Sequence, residues 1–414
     1  MPKIAIVAGE ASGDLLGSHL MRALKAQRSD LTFIGIAGPK MIGEGAKSLF
    51  PIEKLSVRGY VEVILHLYGL LKLRKSLLKQ LLAEKPDIFI GVDAPDFNFW
   101  LERKLKKQGI TAIHYVSPSI WAWRGGRMGK IKRAVSHVLA LFPFEPALYE
   151  KAGVPVTFIG HPLADELPLK PNKKAARDIL KIEHDKLVVA MLPGSRQSEV
   201  RQHADLFIKT AQIISQDNTN TQFQNVQFLV PLITRQTRQI FEQAHYRNMH
   251  DRNLHDKNIL DKNLQDKSLV DKDLLDKDRP RQQDVALDIL FGHAHDAMEA
   301  ADVVLVASGT ATLEAALLKR PMVITYRMPA LSWWILKRMN YLPYVGLPNI
   351  LAGKFVVPEL LQNDATPQKL ADAVSLLLVD KARIKEIEQE FTSIHKSLKQ
   401  DSAKKAAAVV LSYL

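Results

Sequence analysis

Short β-rich apolar runs alternate with stretches of helical periodicity from Lys3 to Thr325, and this rhythm excludes most folds at once. The first six runs are Lys3–Ala8, Thr32–Ile36, Asp87–Val92, Thr111–Val116, Val135–Leu141 and Val156–Ile159, each followed by a stretch long enough for a helix. Near-continuous apolar runs are what strands covered on both faces look like, and a helical crossover is what a parallel pair requires. The pattern therefore predicts βαβ units on a mostly parallel sheet. A second series, Leu187–Leu192, Val226–Val230, Val303–Val306 and Met322–Thr325, is interleaved with helical patterns such as Glu199–Ile214 and Leu313–Leu318 and predicts a second sheet. The fold expected is α/β, with two Rossmann-like doubly wound halves over residues 1–165 and 166–380. Residues 381–414 read as helices that close on the first half or on a partner subunit. The junction falls where Gly160, Pro162, Pro168 and Pro171 interrupt both periodicities.

With 414 residues and 47 % hydrophobic content, each half can fill a core, which excludes disorder for the bulk of the chain. There is no cysteine, so disulfide scaffolds, thiol catalysis and cysteine-ligated metal sites are excluded. Glu10 ends the first apolar run too early for a signal peptide, and no uncharged stretch reaches the roughly 18 to 20 apolar residues of a spanning helix. A cytoplasmic protein with at most peripheral membrane contact is expected. One segment breaks the rhythm: Asp recurs at 251, 256, 261, 266, 271 and 276, usually followed by Lys and, three places on, by Leu or Ile. Five residues advance a helix by roughly 500°, so the apolar positions spiral and form no face. Residues 251–278 are expected to be a solvated, flexible insertion without catalytic part. They hold eight acidic and six basic residues, leaving +15 on a chain whose net charge is +13. Such a balance suits a phosphate-bearing ligand, an anionic membrane or a nucleic acid.

The polar residues that follow strands carry the chemistry, because open α/β sheets bind ligands at the carboxyl ends of their strands. Gly9-Glu10-Ala11-Ser12-Gly13-Asp14 follows the first strand and opens a helix, where a glycine turn and helix amides approach a phosphate or sugar; the alternative is a plain turn with Ser12 as N-cap. It matches neither G-x-G-x-x-G nor a P-loop, so dinucleotide oxidoreduction and ATP hydrolysis lose their main support. In Asp93-Ala94-Pro95-Asp96-Phe97-Asn98, Asp96 has a ready role as N-cap and Asp93, nearer the strand tip, is the general-base candidate. His114 to Arg124 brings Trp121 and Trp123 beside basic residues, a setting for stacking on sugars or bases or for plain packing. In Pro193-Gly194-Ser195-Arg196, the Gly194–Ser195 turn permits close backbone approach and Arg196 can hold a phosphate bidentately, unless it merely pairs with Glu199. Ser308, Gly309 and Thr310 open another helix, with Glu314 one turn inward, able to accept from ribose hydroxyls or to be a buried glutamate. The Val61–Leu82 stretch, with a core stripe at Ile64, Leu67, Leu71, Leu78 and Leu81, has apolar residues on other faces, then Lys72, Arg74, Lys75 and Lys79. With Trp333 to Arg338 it reads as an interfacial surface or as a fully buried helix.

In order, VAGEASGD, GVDAPDFN, HYVSPSIWAWR, FPFE, FIGHPLAD, LPGSR, ASGTATLEA and LPNILAG resemble the lipid A disaccharide synthase family over about residues 3–410, the repeat apart. The resemblance implies a GT-B glycosyltransferase of two Rossmann-like halves facing a cleft, needing neither metal nor cofactor. The 6-hydroxyl of 2,3-diacylglucosamine 1-phosphate would attack C1 of UDP-2,3-diacylglucosamine with inversion, giving the β-1,6 disaccharide of lipid A and UDP. It makes Asp93 the base and Arg196 the partner of the diphosphate. Glu10, Ser12, Ser308, Gly309, Thr310, Glu314 and Asn349 would line the nucleotide-sugar site. A homodimer exchanging C-terminal segments and an anionic inner-membrane surface are the implied partners, without nucleic acid. No Asp-x-Asp pair lies outside the repeat, which agrees with metal-free diphosphate departure. The alternatives are another GT-B enzyme of UDP-amino sugars, a 2-epimerase or polyprenyl-acceptor transferase, and a basic nucleic-acid-binding protein.

Overall fold

The computed structural model describes residues 1–55, 60–118, 120, 125–217, 223, 225–265, 285, 287–328, 333 and 343–414, with the backbone alone at 60–67, 125 and 251–265. The chain divides into two compact units, the first built from Met1–Glu166 and Lys396–Leu414. Its strands are β1 (Lys3–Ala8), β2 (Thr32–Ile36), β3 (Ala46–Ser48), β4 (Ile88–Val92), β5 (Thr111–Tyr115), β6 (His137–Ala140) and β7 (Val156–Phe158). All pair in parallel in the order β3-β2-β1-β4-β5-β6-β7. The order reverses between β1 and β4, which makes their carboxyl ends the switch point where such sheets open a crevice. Ile4, Ile6, Phe89, Ile90, Ile113 and Leu139 are buried from both faces of this sheet. The helices are α1 (Ala11–Gln27), α2 (Pro39–Gly43), α3 (Tyr60–Glu84), α4 (Pro95–Lys106), α5 (Met128–Ala134), α6 (Glu145–Lys151) and α7 (Pro162–Glu166).

The second unit holds the described residues between Leu167 and His395. It begins with α8 (Lys173–Leu180) and continues through β8 (Val188–Leu192), α9 (Gln197–Ser215), β9 (Gln227–Leu232), α10 (Arg235–Gln265), β10 (Leu287–Phe291), α11 (Ala294–Ala300), β11 (Val303–Ala307), α12 (Thr310–Leu317) and β12 (Met322–Tyr326). Then come α13 (Leu347–Ala352), β13 (Glu359–Leu361), α14 (Pro367–Val379) and α15 (Lys381–Leu398). Here too the sheet is parallel, in the order β10-β9-β8-β11-β12-β13, with its switch point between β8 and β11. The three strands that sequence periodicity misses, β3, β10 and β13, are all edge strands. An edge strand pairs on one side only and stays partly exposed, so it needs no continuous apolar run.

The repeat departs from expectation in its first half, because α10 runs unbroken from Arg235 to Gln265. A five-residue repeat builds no apolar face, yet it does not have to nucleate a helix here. Phe241 and Ala244 are buried as α10 packs on α9, and extending a nucleated helix costs far less than starting one. Residues 266–278 of the repeat lie outside the described residues. So do Trp121, Trp123, Arg124 and residues 334–338, while the side chains of Ile64 and Leu67 are not described.

The chain returns to the first unit through the end of α15 and through α16 (Ser402–Leu411), which packs on α1. Residues 381–395 thus belong to the second unit and 396–414 to the first. The fastening is the FIGHPLAD motif. The Asp165 carboxylate accepts from the amides of Gln400 and Asp401 at 2.9 Å and Ser402 at 2.7 Å, while His161 N–H donates to the Leu398 carbonyl at 2.9 Å. His161 is stacked on Phe142, and burial pushes its pKa down to about 4. The folded state therefore keeps this imidazole neutral after the unfolded chain has protonated it near pH 6.5. Stability contributed at neutral pH is lost as pH falls from about 6.5 to 4, by up to about 3 kcal/mol. Denaturant unfolding across this window should show a steeper acid loss in the wild type than in His161→Gln; equal slopes would refute it.

Candidate functional site

In the first unit, four loop residues converge at the ends of β1, β4 and β5. Asp93 and Ala94 are consecutive left-handed residues, φ 51° and 44°, and Val116 at the end of β5 has φ 80°. Non-glycine residues in that region cost roughly 1 kcal/mol or more each and persist only where surrounding bonds hold them. The Asp93 amide donates to the Tyr115 carbonyl at 2.8 Å, and the Phe97 and Asn98 amides donate to the Ala94 carbonyl at 3.0 Å. Gly9 is required by proximity: a Cβ there would stand 2.7 Å from the Ala94 Cβ. The Glu10 loop and the Asp93 loop are therefore in contact. Among the described residues no donor bonds the half-buried Asp93 carboxylate, a suitable state for a group that must accept a proton from a ligand.

Several neighbouring polar residues in this unit are already employed, Ser12 not among them. Ser12 is not the N-cap of α1; Glu10 occupies that position, and both side chains are exposed. Asp14 is buried and accepts from the amides of Gly38, Lys40 and Met41, which fixes the loop after β2. Asp96 is likewise not the N-cap of α4, because left-handed Ala94 is; Asp96 is exposed and pairs with Arg127 at 3.0 Å. The Glu145 carboxylate accepts from the amides of Leu141 and Phe142, which accounts for FPFE.

The second unit presents two helix N-termini at the ends of β8 and β11, and they differ. At α9 the Glu199 carboxylate accepts from the amides of Ser195 at 3.0 Å and Arg196 at 3.1 Å. Gly194 has φ 129°, and a Cβ there would collide with Glu199. The two amides just ahead of the first turn of α9 are thus engaged by its own chain. Arg196 remains exposed, with its guanidinium 3.4 Å from Glu199. At α12 the cap is Gly309, φ 153°, with no side chain bonded to its amides among the described residues and open space above its Cα. Thr310 is exposed beside it, Ser308 is half-buried, and the Ser308 amide donates to the Thr325 carbonyl at 2.9 Å. Glu314 lies half-buried one turn along, 3.3 Å from His295, whose pKa is raised first by that bond. His295 is a site residue that sequence reasoning missed, since α11 precedes the loop and nothing in its spacing points there. His203 is another: its Nδ1 bonds the Glu199 carbonyl at 2.8 Å and its Nε2 accepts from the Arg327 amide at 3.1 Å, tying α9 to the end of β12. Burial lowers its pKa and keeps it neutral.

Asn349 does not line an open site. It is fully buried, its amide donates to the Val357 carbonyl and the Glu359 carboxylate, and its carbonyl accepts from the amides of Val356 and Val357. With every bonding position used within the fold, it joins α13 to β13. On α3 the stripe is met in part: Leu81 is fully buried and Leu78 packs against the core, but Leu73 and Leu77 complete the buried face, while Tyr68 is 80 % and Leu71 38 % exposed. Apolar residues on all sides left the period ambiguous. Among the described residues no helix is long and apolar enough to cross a membrane.

Comparison with known proteins bears on these features. Over the whole chain, a UDP-GlcNAc 2-epimerase from Neisseria meningitidis bound to UDP-GlcNAc has a TM-score of 0.59 at 11 % identity, covering 99 % of this chain and 98 % of that one. The glycosyltransferase of kitacinnamycin has a TM-score of 0.59 at 14 % identity, covering 100 % and 99 %. These likenesses show the GT-B-like fold, two parallel sheets with alternating helices. Sequence relatives are far closer. The lipid-A-disaccharide synthase of Methylobacillus flagellatus is 60 % identical over 414 residues, covering all of both chains. That of Azoarcus sp. is 54 % identical over 413 residues, covering 100 % of this chain and 96 % of the other. The family profile described as lipid-A-disaccharide synthetase matches residues 4–265 and 265–413. With its two switch points and their loops carried on that sequence, the chain belongs to the lipid-A-disaccharide synthase family.

Proposed function

We propose that this chain is the UDP-sugar-dependent glycosyltransferase that joins UDP-2,3-diacylglucosamine to 2,3-diacylglucosamine 1-phosphate, forming the lipid A disaccharide 1-phosphate and UDP. The relatives' name supplies the substrates. The observation that carries the chemistry is that each sheet's switch point presents one of the two groups the reaction needs. Asp93, whose carboxylate has no donor among the described residues, takes the proton of the acceptor 6-hydroxyl as that hydroxyl oxygen attacks C1. The C1–oxygen bond to the diphosphate breaks, and the departing charge is met by the Arg196 guanidinium and the open amides at the start of α12. Glu314 accepts from the ribose hydroxyls, and Glu10, Ser12, Ser308 and Thr310 supply further polar contacts. Exposed Tyr68 and Leu71, followed on α3 by Lys72 and Lys75, suit contact of the first unit with an anionic bilayer that carries both acylated substrates.

Incubating the pure protein with both substrates and finding UDP with a tetraacyl disaccharide by mass spectrometry tests the reading; UDP-sugar turnover without disaccharide would refute it. In this reading the diphosphate departs without a metal. Turnover in EDTA should equal that in magnesium, and a loss restored by a divalent ion would overturn the metal-free mechanism.

A further inference from the structure

Beneath the Asp93 loop runs a row of buried polar side chains that the reaction as described does not use. Asn98, in the first turn of α4, is fully buried. Its amide nitrogen donates to the Asp93 carbonyl at 2.8 Å and reaches the carbonyls of Val92 and Val7, each at 3.5 Å. One amide thus touches the main chain at the ends of both β1 and β4, the two strands of the switch point. One turn along α4, Glu102 is fully buried and bonds His114 of β5 at 2.7 Å. Gly91 on β4 makes room for both: a Cβ there would collide with the Glu102 carboxylate and press on Asn98, 2.9 Å from its Cβ.

This row is poor as a stabilising device. The Asn98 carbonyl oxygen, one Glu102 oxygen and His114 Nε2 are buried without a partner among the described residues, and orphaned polar atoms cost stability that an apolar row would keep. What the row does achieve is local: it grips the carbonyl of Asp93 itself, a residue in a left-handed conformation followed by another, where the backbone would otherwise relax. We propose that Asn98 is the positioning residue for the Asp93 carboxylate, with the Glu102–His114 pair as the buried seat against which Asn98 is held. The inference rests on the reading of Asp93 as the base.

Relaxation of a catalytic group by about 1 Å costs about 10²-fold in rate. Asn98→Ala should therefore lower kcat by about that factor, with KM for the UDP-sugar and affinity for UDP within about twofold of wild type. A merely structural role would not predict the decisive result. In an Asp93→Asn background, where no base remains to be positioned, Asn98→Ala should cost less than about threefold. Asn98→Ser, which keeps a small donor in place, carries the same comparison if the alanine variant does not fold. An equal loss in both backgrounds, an unchanged kcat, or a change confined to KM would overturn the positioning role. Wild-type turnover in Asp93→Asn alone would instead remove the base assignment, a result recognisable before Asn98 is altered.

Discussion

Asp93→Asn should lower turnover by about 10²- to 10⁴-fold, the contribution of a positioned general base, while UDP still binds. The substitution preserves shape and leaves the main-chain bonds to Tyr115 and Asn98 in place, so the strained turn is not what fails. Only the capacity to take a proton is removed. The measurement is single-turnover formation of disaccharide beside a UDP titration. Retained rates would show that another group deprotonates the acceptor, whereas lost UDP binding would show that Asp93 holds the nucleotide.

Arg196→Ala is expected to cost about 10²- to 10³-fold in kcat, the range found when one donor to a developing negative charge is deleted. The structure sharpens this expectation. Glu199 already satisfies the Ser195 and Arg196 amides, the exposed guanidinium can reach an anion there, and it must exchange its 3.4 Å contact with Glu199 for the diphosphate. UDP affinity should fall together with kcat, because the diphosphate is present in substrate and product alike. Arg196→Lys should recover only part of the loss, since an ammonium lacks the planar fork. Full activity in Arg196→Ala would assign the diphosphate to the α12 amides alone.

Much of this protein is legible before any coordinates. Every interior strand of both sheets coincides with an apolar run, because a strand covered on both faces must be apolar throughout. The loops that follow β1, β4, β8 and β11 are where the motif residues were sought, and a doubly wound sheet brings just those loops to its switch points. The repeat was read less well, since period analysis asks whether a segment can fold alone and not whether it can prolong a helix already packed. The face of α3 is legible only in part, at Leu78 and Leu81 but not at Leu71: with leucines on several sides, only the neighbour decides which are covered.

The two-sheet, mostly parallel α/β plan and the position of the Asp93 and Arg196 loops at strand ends follow from sequence alone, because they depend on apolar period and on chain direction, whereas the order of strands in each sheet came from the tertiary structure. Which polar residues remain available to a ligand was decided by tertiary structure. Asp14, Glu145, Asp165, Glu199 and Asn349 all stand in or next to the motif segments, yet each spends side-chain oxygen on backbone amides. For Asp165 those amides lie 235 to 237 positions away. A buried carboxylate must find donors, and packing alone determines whether these come from the fold or from a substrate.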